Sequence, residues 1–260
     1  MSSILLSALD AVHDTRLFRK RFWRFIYDRV AARQPEAFRM MNYGYLEDAG
    51  ADEDFQGEEL ALRLYLHVAG AADLAGKVIL DVGAGRGGGL VHLSRMLSPR
   101  AAFGLDLSPK AVALARRMAA GAPGVSFFPG DAEEMPFGDA CFDAVLNVES
   151  SHCYPSRDRF FREVRRVLVP GGSFLYADFF QADALPAVRD ALRSSPFAIV
   201  EESDITAQVL AALRRDEARK LALIAHEPRW RRGALRNFAA TTDSQTYILL
   251  ANGARRYVRF

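Results

Sequence analysis

Cysteine is scarce in this 260-residue chain, with Cys141 and Cys153 the two it has. Two thiols at no metal-ligand spacing exclude a disulfide scaffold and a cysteine-held metal module, and a reducing, cytoplasmic setting is expected. Charge of one sign is also lacking, since 34 basic against 32 acidic residues leave a formal charge of +2. That balance is too small to argue for a nucleic-acid partner. No apolar run is long enough to span a bilayer, and the opening Met1–Asp10 lacks the basic start of a secretion signal. Internal repeats and low-complexity tracts are missing as well. What remains is ordinary globular usage, 50% hydrophobic and 25% charged. The length suits one domain with an elaborated cap better than two independent domains.

The most informative stretch is Val78-Ile-Leu-Asp81-Val-Gly83-Ala-Gly85-Arg-Gly87-Gly-Gly89. The residues before Gly83 read as a short buried strand, the glycines as a tight turn, and Leu90 to Leu97 as an amphipathic helix. Glycine has no Cβ, so a ligand can lie against bare backbone here. The spacing Gly83-x-Gly85-x-x-Gly88 also fits a dinucleotide fingerprint, a weak match when taken alone. Asp81 separates the two readings. A carboxylate aimed into the turn repels a pyrophosphate and suits a ligand carrying an ammonium and a sulfonium, as S-adenosylmethionine does.

Further strands follow at the distances a doubly wound sheet requires. Ala102 to Leu107 reads as a second strand with Asp106 at its end, placed for two ribose hydroxyls. Ser108 and Pro109 open the next helix as N-cap and first helical residue. Val125 to Ala132 reads as a third strand bearing Asp131, Phe142 to Glu149 as a fourth, and Leu168 to Asp178 as a turn and a fifth. Ligands bind at the carboxyl ends of such strands.

In the order of these elements, the chain resembles the class I S-adenosylmethionine-dependent methyltransferases over roughly residues 76–180. Asn147-Val-Glu-Ser-Ser-His152-Cys-Tyr-Pro155 and Leu175-Tyr-Ala-Asp-Phe179 are similar to a narrower group that methylates hydroxyls on bacterial glycolipids and polyketide-type natural products. The resemblance implies a Rossmann-like α/β fold, with a seven-stranded, mostly parallel sheet, an antiparallel edge strand and a helical cap over residues 1–75. It implies cofactor contacts from Asp81, Gly83, Gly85, Asp106, Leu107, Asp131, Ala132 and Asn147, and from Tyr45 over the methionine end. Asp131 would take the adenine amino group. Packing alone is the alternative for Tyr45.

The flanks read as the walls of a substrate pocket. Phe18, Phe22 and Phe25 share one helical face, while Arg16, Lys20 and Arg24 line another. A membrane surface suits that mixture, but a cap helix over the active site is the preferred reading. Beyond the fifth strand, Ala182 to Leu192 reads as a helix and Ala198 to Glu202 as a sixth strand. Asp204 is an N-cap candidate for a helical insertion over roughly 204–240. Tyr247 to Ala251 reads as the seventh, antiparallel strand, Asn252-Gly253 as a turn, and Tyr257 to Phe260 as a strand pairing back in a hairpin.

Methyl transfer from a sulfonium asks the protein to align oxygen, methyl carbon and sulfur. An aliphatic hydroxyl also gains from a base. Of the five histidines, His152 sits just past the fourth strand and is the candidate general base, with Glu149, Ser150 and Ser151 near enough to orient its ring. No metal is expected, because His, Asp and Glu form no tight cluster. The expected partner is a small-molecule acceptor, met by a monomer or a homodimer. A nicotinamide-dependent oxidoreductase, a catalytically silent cofactor binder, and a carbon or nitrogen methyltransferase stay open as alternatives.

Overall fold

The computed structural model describes residues 39–47 and 57–260. The phenylalanine-bearing stretch from Arg16 to Phe25 lies outside the described residues. Elements are numbered from the first described helix.

Helix α1 (Glu58–Ala69) buries Leu64, Tyr65 and Val68, residues three or four apart and therefore on one face. Strand β1 (Val78–Val82) is buried along almost its whole length, as a strand covered on both faces must be. Helix α2 (Gly88–Leu97) follows the glycine turn, then β2 (Ala101–Asp106), α3 (Pro109–Met118) and β3 (Val125–Pro129). Ser108 caps α3 by accepting the Ala111 N–H at 3.1 Å, with Pro109 in the first turn. Strand β4 (Phe142–Val148), helix α4 (Arg157–Val167), strand β5 (Leu168–Gln181) and helix α5 (Leu185–Ser194) complete the regular part.

The sheet has seven strands in the order β3-β2-β1-β4-β5-β7-β6, where β6 is Ser203–Asp204 and β7 is Arg255–Arg259. Strands β1 to β5 are mutually parallel, and β7 runs antiparallel to both β5 and β6. The doubly wound reading holds. One apolar cluster, with Leu64, Val68, Leu90 and Leu146, covers one face of the sheet. A second, with Val145, Phe160, Phe161 and Tyr176, covers the other.

Two expected strands are corrected. Tyr247 to Ala251 lies in helix α9 (Gln245–Ala251), whose N-cap Ser244 accepts the Tyr247 N–H. Thr246 and Leu250 are the buried residues of that helix, four apart, so its β-branched and aromatic content misled. The antiparallel strand is instead Arg255–Arg259. It pairs with β5 and β6 within the sheet rather than folding back on its neighbour as a hairpin. Its arginines hide its strand character, although Arg259 is buried and donates to the His67 carbonyl at 3.0 Å. The sixth strand begins at Ser203 and not at Ala198, and Val200 is fully open to solvent at 95% exposure.

The helical insertion comprises α6 (Thr206–Arg215), α7 (Glu217–Ala225) and α8 (Arg229–Phe238). Asp204 acts at its start as expected, one position early, by accepting both the Thr206 N–H and its hydroxyl. Among the described residues, no helix is long and apolar enough to cross a membrane.

Candidate active site

A cavity opens at the carboxyl ends of β1, β2 and β4, bounded by the glycine turn and by the segment Arg39 to Asn42. Gly83, Gly85, Asp106, Leu107, Asp131 and Ala132 all line it. The turn is built from left-handed backbone, with φ of +78° at Gly83 and +55° at Gly85. A Cβ on Gly83 would overlap the Ser150 hydroxyl, whereas one on Gly85 would meet nothing nearer than Met41 Cε at 3.7 Å. Gly83 is therefore glycine for packing, and Gly85 keeps its backbone bare toward the cavity.

The acids differ in how they are held. Asp106 Oδ2 accepts the Gly85 N–H and Oδ1 accepts the Ser108 N–H, both at 2.8 Å. The carboxylate is thus fixed in orientation at the cavity wall. Asp131 Oδ1 accepts the Glu133 N–H at 2.9 Å.

Asp81 lies behind the turn, fully buried and outside the cavity wall. Its Oδ2 takes the Tyr65 hydroxyl at 3.2 Å, and Oδ1 has no partner among the described residues. Burial pushes its carboxyl up to about 7 against the Tyr65 hydrogen bond, and Asp106 adds to the rise. Tyr65, which does line the cavity, stands between Asp81 and the space a ligand would fill. Asn147 is also buried one layer behind. Its amide donates to the Val82 carbonyl at 2.8 Å and to Ser150 Oγ at 2.7 Å, bracing the turn from below.

Tyr45 does not line the cavity. Its ring stacks on His67 at 4.1 Å, in the core, so the packing alternative describes it. Tyr43, two residues earlier, stacks on Phe179 at 5.6 Å, and Phe179 in turn packs against His152 at 4.4 Å. Glycine at 44 lets the chain turn between the two tyrosines with φ +81°.

His152 lies in a short 3₁₀ turn (Ser151–Cys153) beside the cavity and not in its wall. The group that orients its ring is Asp178, near the end of β5, which sequence reasoning missed. Asp178 Oδ1 sits 2.9 Å from His152 Nδ1, and Oδ2 accepts the His152 N–H at 2.9 Å. Ser151 donates to the same Oδ2 at 2.6 Å, so it orients the carboxylate rather than the imidazole. A carboxylate can only accept, so Nδ1 carries the proton and Nε2 is the basic nitrogen of the neutral ring. Burial, the largest single influence, disfavours the imidazolium, but the charge and hydrogen bond of Asp178, with Cys153 adding to them, together outweigh it and hold the histidine well above 6.5. Burial likewise pushes Asp178 up, and the pull of His152 with its hydrogen bonds leaves it below the usual carboxylate range.

The donor set fits S-adenosylmethionine. It combines an anchored acid for a ribose, a bare glycine backbone and a second acid one strand further. Among the described residues no three His, Cys, Asp or Glu side chains gather as metal ligands would.

Comparison with known proteins agrees. Residues 80–176 match a family described as a methyltransferase domain. The chain is 35% identical over 244 residues to a phthiotriol/phenolphthiotriol dimycocerosates methyltransferase of Mycobacterium tuberculosis, covering 92% of this chain and 90% of that one. It is 40% identical over 180 residues to a fatty-acid O-methyltransferase of Mycolicibacterium smegmatis, covering 68% and 65%. Among solved structures, the [4+2]-cyclase SpnF superposes with a TM-score of 0.74 at 24% identity over 94% of both chains, a likeness of fold alone. Likeness along nine-tenths of the length and a pocket with the matching donors settle the family: the chain belongs to the class I S-adenosylmethionine-dependent methyltransferases and takes its methyl group from S-adenosylmethionine.

Proposed function

We propose that this methyltransferase acts on an oxygen of a lipid-like or polyketide-type small molecule, with His152 as general base and Asp178 as the residue that positions it. The observation that carries this reading is the His152–Asp178 pair, held at 2.9 Å beside the cavity. The two mycobacterial relatives, named for methylation of phthiotriol/phenolphthiotriol dimycocerosates and for fatty-acid O-methylation, support the acceptor class.

When bound, S-adenosylmethionine supplies an electrophilic methyl group on a good leaving group. The protein's part is alignment and proton removal. Asp106 would hold the ribose hydroxyls, Asp131 the adenine edge, and the Gly83–Gly85 backbone the methionine end, with Leu107 and Ala132 packing the adenosine. Asn147 and Ser150 fix the turn, and Asp81 through Tyr65 gives the loop its negative character. His152 Nε2 would take the proton of the acceptor hydroxyl, and Asp178 would stabilise the resulting imidazolium. General-base assistance of this kind contributes about 10²–10⁴-fold.

Single-turnover methylation of a fatty alcohol across pH tests the reading. Because Asp178 raises the His152 pKa, the acid limb of the rate should fall above pH 6.5. It should vanish, with most of the rate, in His152→Ala. A variant that keeps the wild-type rate and profile on that alcohol would remove the base.

A further inference from the structure

Glu149 is the first residue beyond β4, and its φ of 51° lies in the left-handed region that non-glycine residues rarely adopt. Such strain persists where the surroundings over-determine it. Here the Glu149 N–H is held by the Ala177 carbonyl at 2.8 Å. At the other end of the side chain, Oε2 receives two donors, the Tyr43 N–H and the Tyr257 hydroxyl, each at 2.9 Å. These donors come from residues 106 and 108 positions away. Oε1 takes no hydrogen bond from the described residues, yet it is not among the polar atoms sealed away without a partner. Glu149 itself lines the cavity. One oxygen is therefore consumed by the fold, and the other is left for whatever enters.

We propose that Glu149 is an acceptor-recognition residue, its Oε1 presenting a hydroxyl to a carbonyl or ester oxygen of the methyl acceptor, next to the oxygen that is methylated. This rests on the reading that the acceptor enters beside His152.

The location of the proton follows from the hydrogen bonds. Burial pushes the Glu149 carboxyl up to about 8, against the Tyr43 and Tyr257 hydrogen bonds and the attraction of His152, with Asp178 adding to the rise. Lys220 on α7 also senses Glu149, and burial lowers its own pKa. At neutral pH the carboxyl is mostly protonated. Oε2 is occupied by two donors, so the proton sits on Oε1. An O–H in that place donates to an oxygen lone pair, and a carbonyl or ester oxygen offers one with no proton of its own to place. A plain hydrocarbon beside the reacting hydroxyl leaves the O–H unpaired, which a buried polar group tolerates poorly. The acceptors favoured are therefore oxygen-functionalised chains, of which a β-hydroxy ester is the simplest.

Two probes of equal chain length differ by the ester group alone: the methyl ester of β-hydroxydodecanoate and tetradecan-5-ol. Their binding to the protein saturated with S-adenosylhomocysteine is measured by calorimetry, which needs no turnover and so does not depend on His152 acting as a base. Wild type should prefer the ester by about tenfold near neutral pH, the worth of one hydrogen bond. The preference should fade as pH rises through about 8, where Glu149 loses its proton. Glu149→Gln keeps a carbonyl for Tyr43 and Tyr257 and a donor for the cavity. It should retain the preference and make it independent of pH. Glu149→Ala should lose it. Failure of the wild type to prefer the ester, a preference that survives in Glu149→Ala, or one that Glu149→Gln abolishes would each overturn the proposal. If instead His152→Ala methylates at full rate while the ester preference behaves as stated, the base is wrong and the recognition residue stands.

Discussion

The two ends of the pocket are built in different ways. At the cofactor end, Gly83, Gly85, Asp106 and Asp131 stand in order along the chain, each at or just past a strand's carboxyl end. Their partners are local, as with Asp106 and the Ser108 N–H two residues on. At the acceptor end, single side chains collect groups from remote segments. Glu149 joins Tyr43 to Tyr257, and Asp178 reaches back 26 residues to His152. The first end is a motif, and the second is an assembly. On the assignment we propose, a cofactor common to many enzymes is met by a local, reusable device, and the acceptor by contacts that distant elements can vary independently.

The sharpest way to break this comparison is at the acceptor end. His152→Ala should lower turnover on an aliphatic alcohol by about 10²–10⁴-fold with cofactor affinity unchanged. Asp178→Asn should cost nearly as much, since an amide can donate to Nδ1 and so favour the wrong tautomer. Single-turnover rates at saturating cofactor measure both, and equal loss on an easily ionised phenol would mean that alignment, not proton removal, is what they supply. At the cofactor end, Asp106→Ala should weaken S-adenosylmethionine binding by well over tenfold in calorimetry, because charge-assisted hydrogen bonds contribute roughly 1.5–3 kcal/mol each. Turnover at saturation should change much less.

A smaller effect concerns Asp81. Its folded pKa is raised to about 7, so in the unliganded protein its contribution to stability is present below the ordinary carboxylate range and is lost as pH rises through about 7. Cofactor affinity should move in the opposite sense, since ionised Asp81 favours a ligand carrying an ammonium. The dissociation constant should fall severalfold across that window, and Asp81→Asn should flatten the dependence. Thermal unfolding and calorimetry at matched pH read the two trends. Smallest of all, Tyr45→Phe should leave cofactor binding within about twofold of wild type, because the ring packs on His67 away from the cavity and the change keeps its volume. A large loss would return Tyr45 to the cofactor.

How much was legible follows the same division. The turn from Val78 to Gly89 declared itself because hydrophobic run, acid and glycines are consecutive, and positive φ needs glycine. Ser108 and Pro109 marked the start of α3 because capping is settled within four residues. Tyr247 to Ala251 was misread as a strand because its residues suit either element. What decided was the Ser244 cap and the burial of Thr246 and Leu250 on one helical face. Asp178 was visible at the end of its strand, but nothing in its neighbours' identity pointed to a histidine 26 residues earlier.

By itself, then, the sequence determined the half built on the glycine turn: the parallel strands, the turn and the acids at their carboxyl ends, which we assign to a ribose and an adenine. These depend on backbone conformation and on side chains within one βα unit, where spacing along the chain is spacing in space. Tertiary structure alone decided that Arg255–Arg259 and not Tyr247–Ala251 enters the sheet. It decided that Tyr43 and not Tyr45 stacks on Phe179, and that one oxygen of Glu149 gathers donors from both Tyr43 and Tyr257. Each is a matter of which buried donor finds which acceptor once the sheet has closed. That pairing is fixed by the packing of distant elements, and no local pattern carries it.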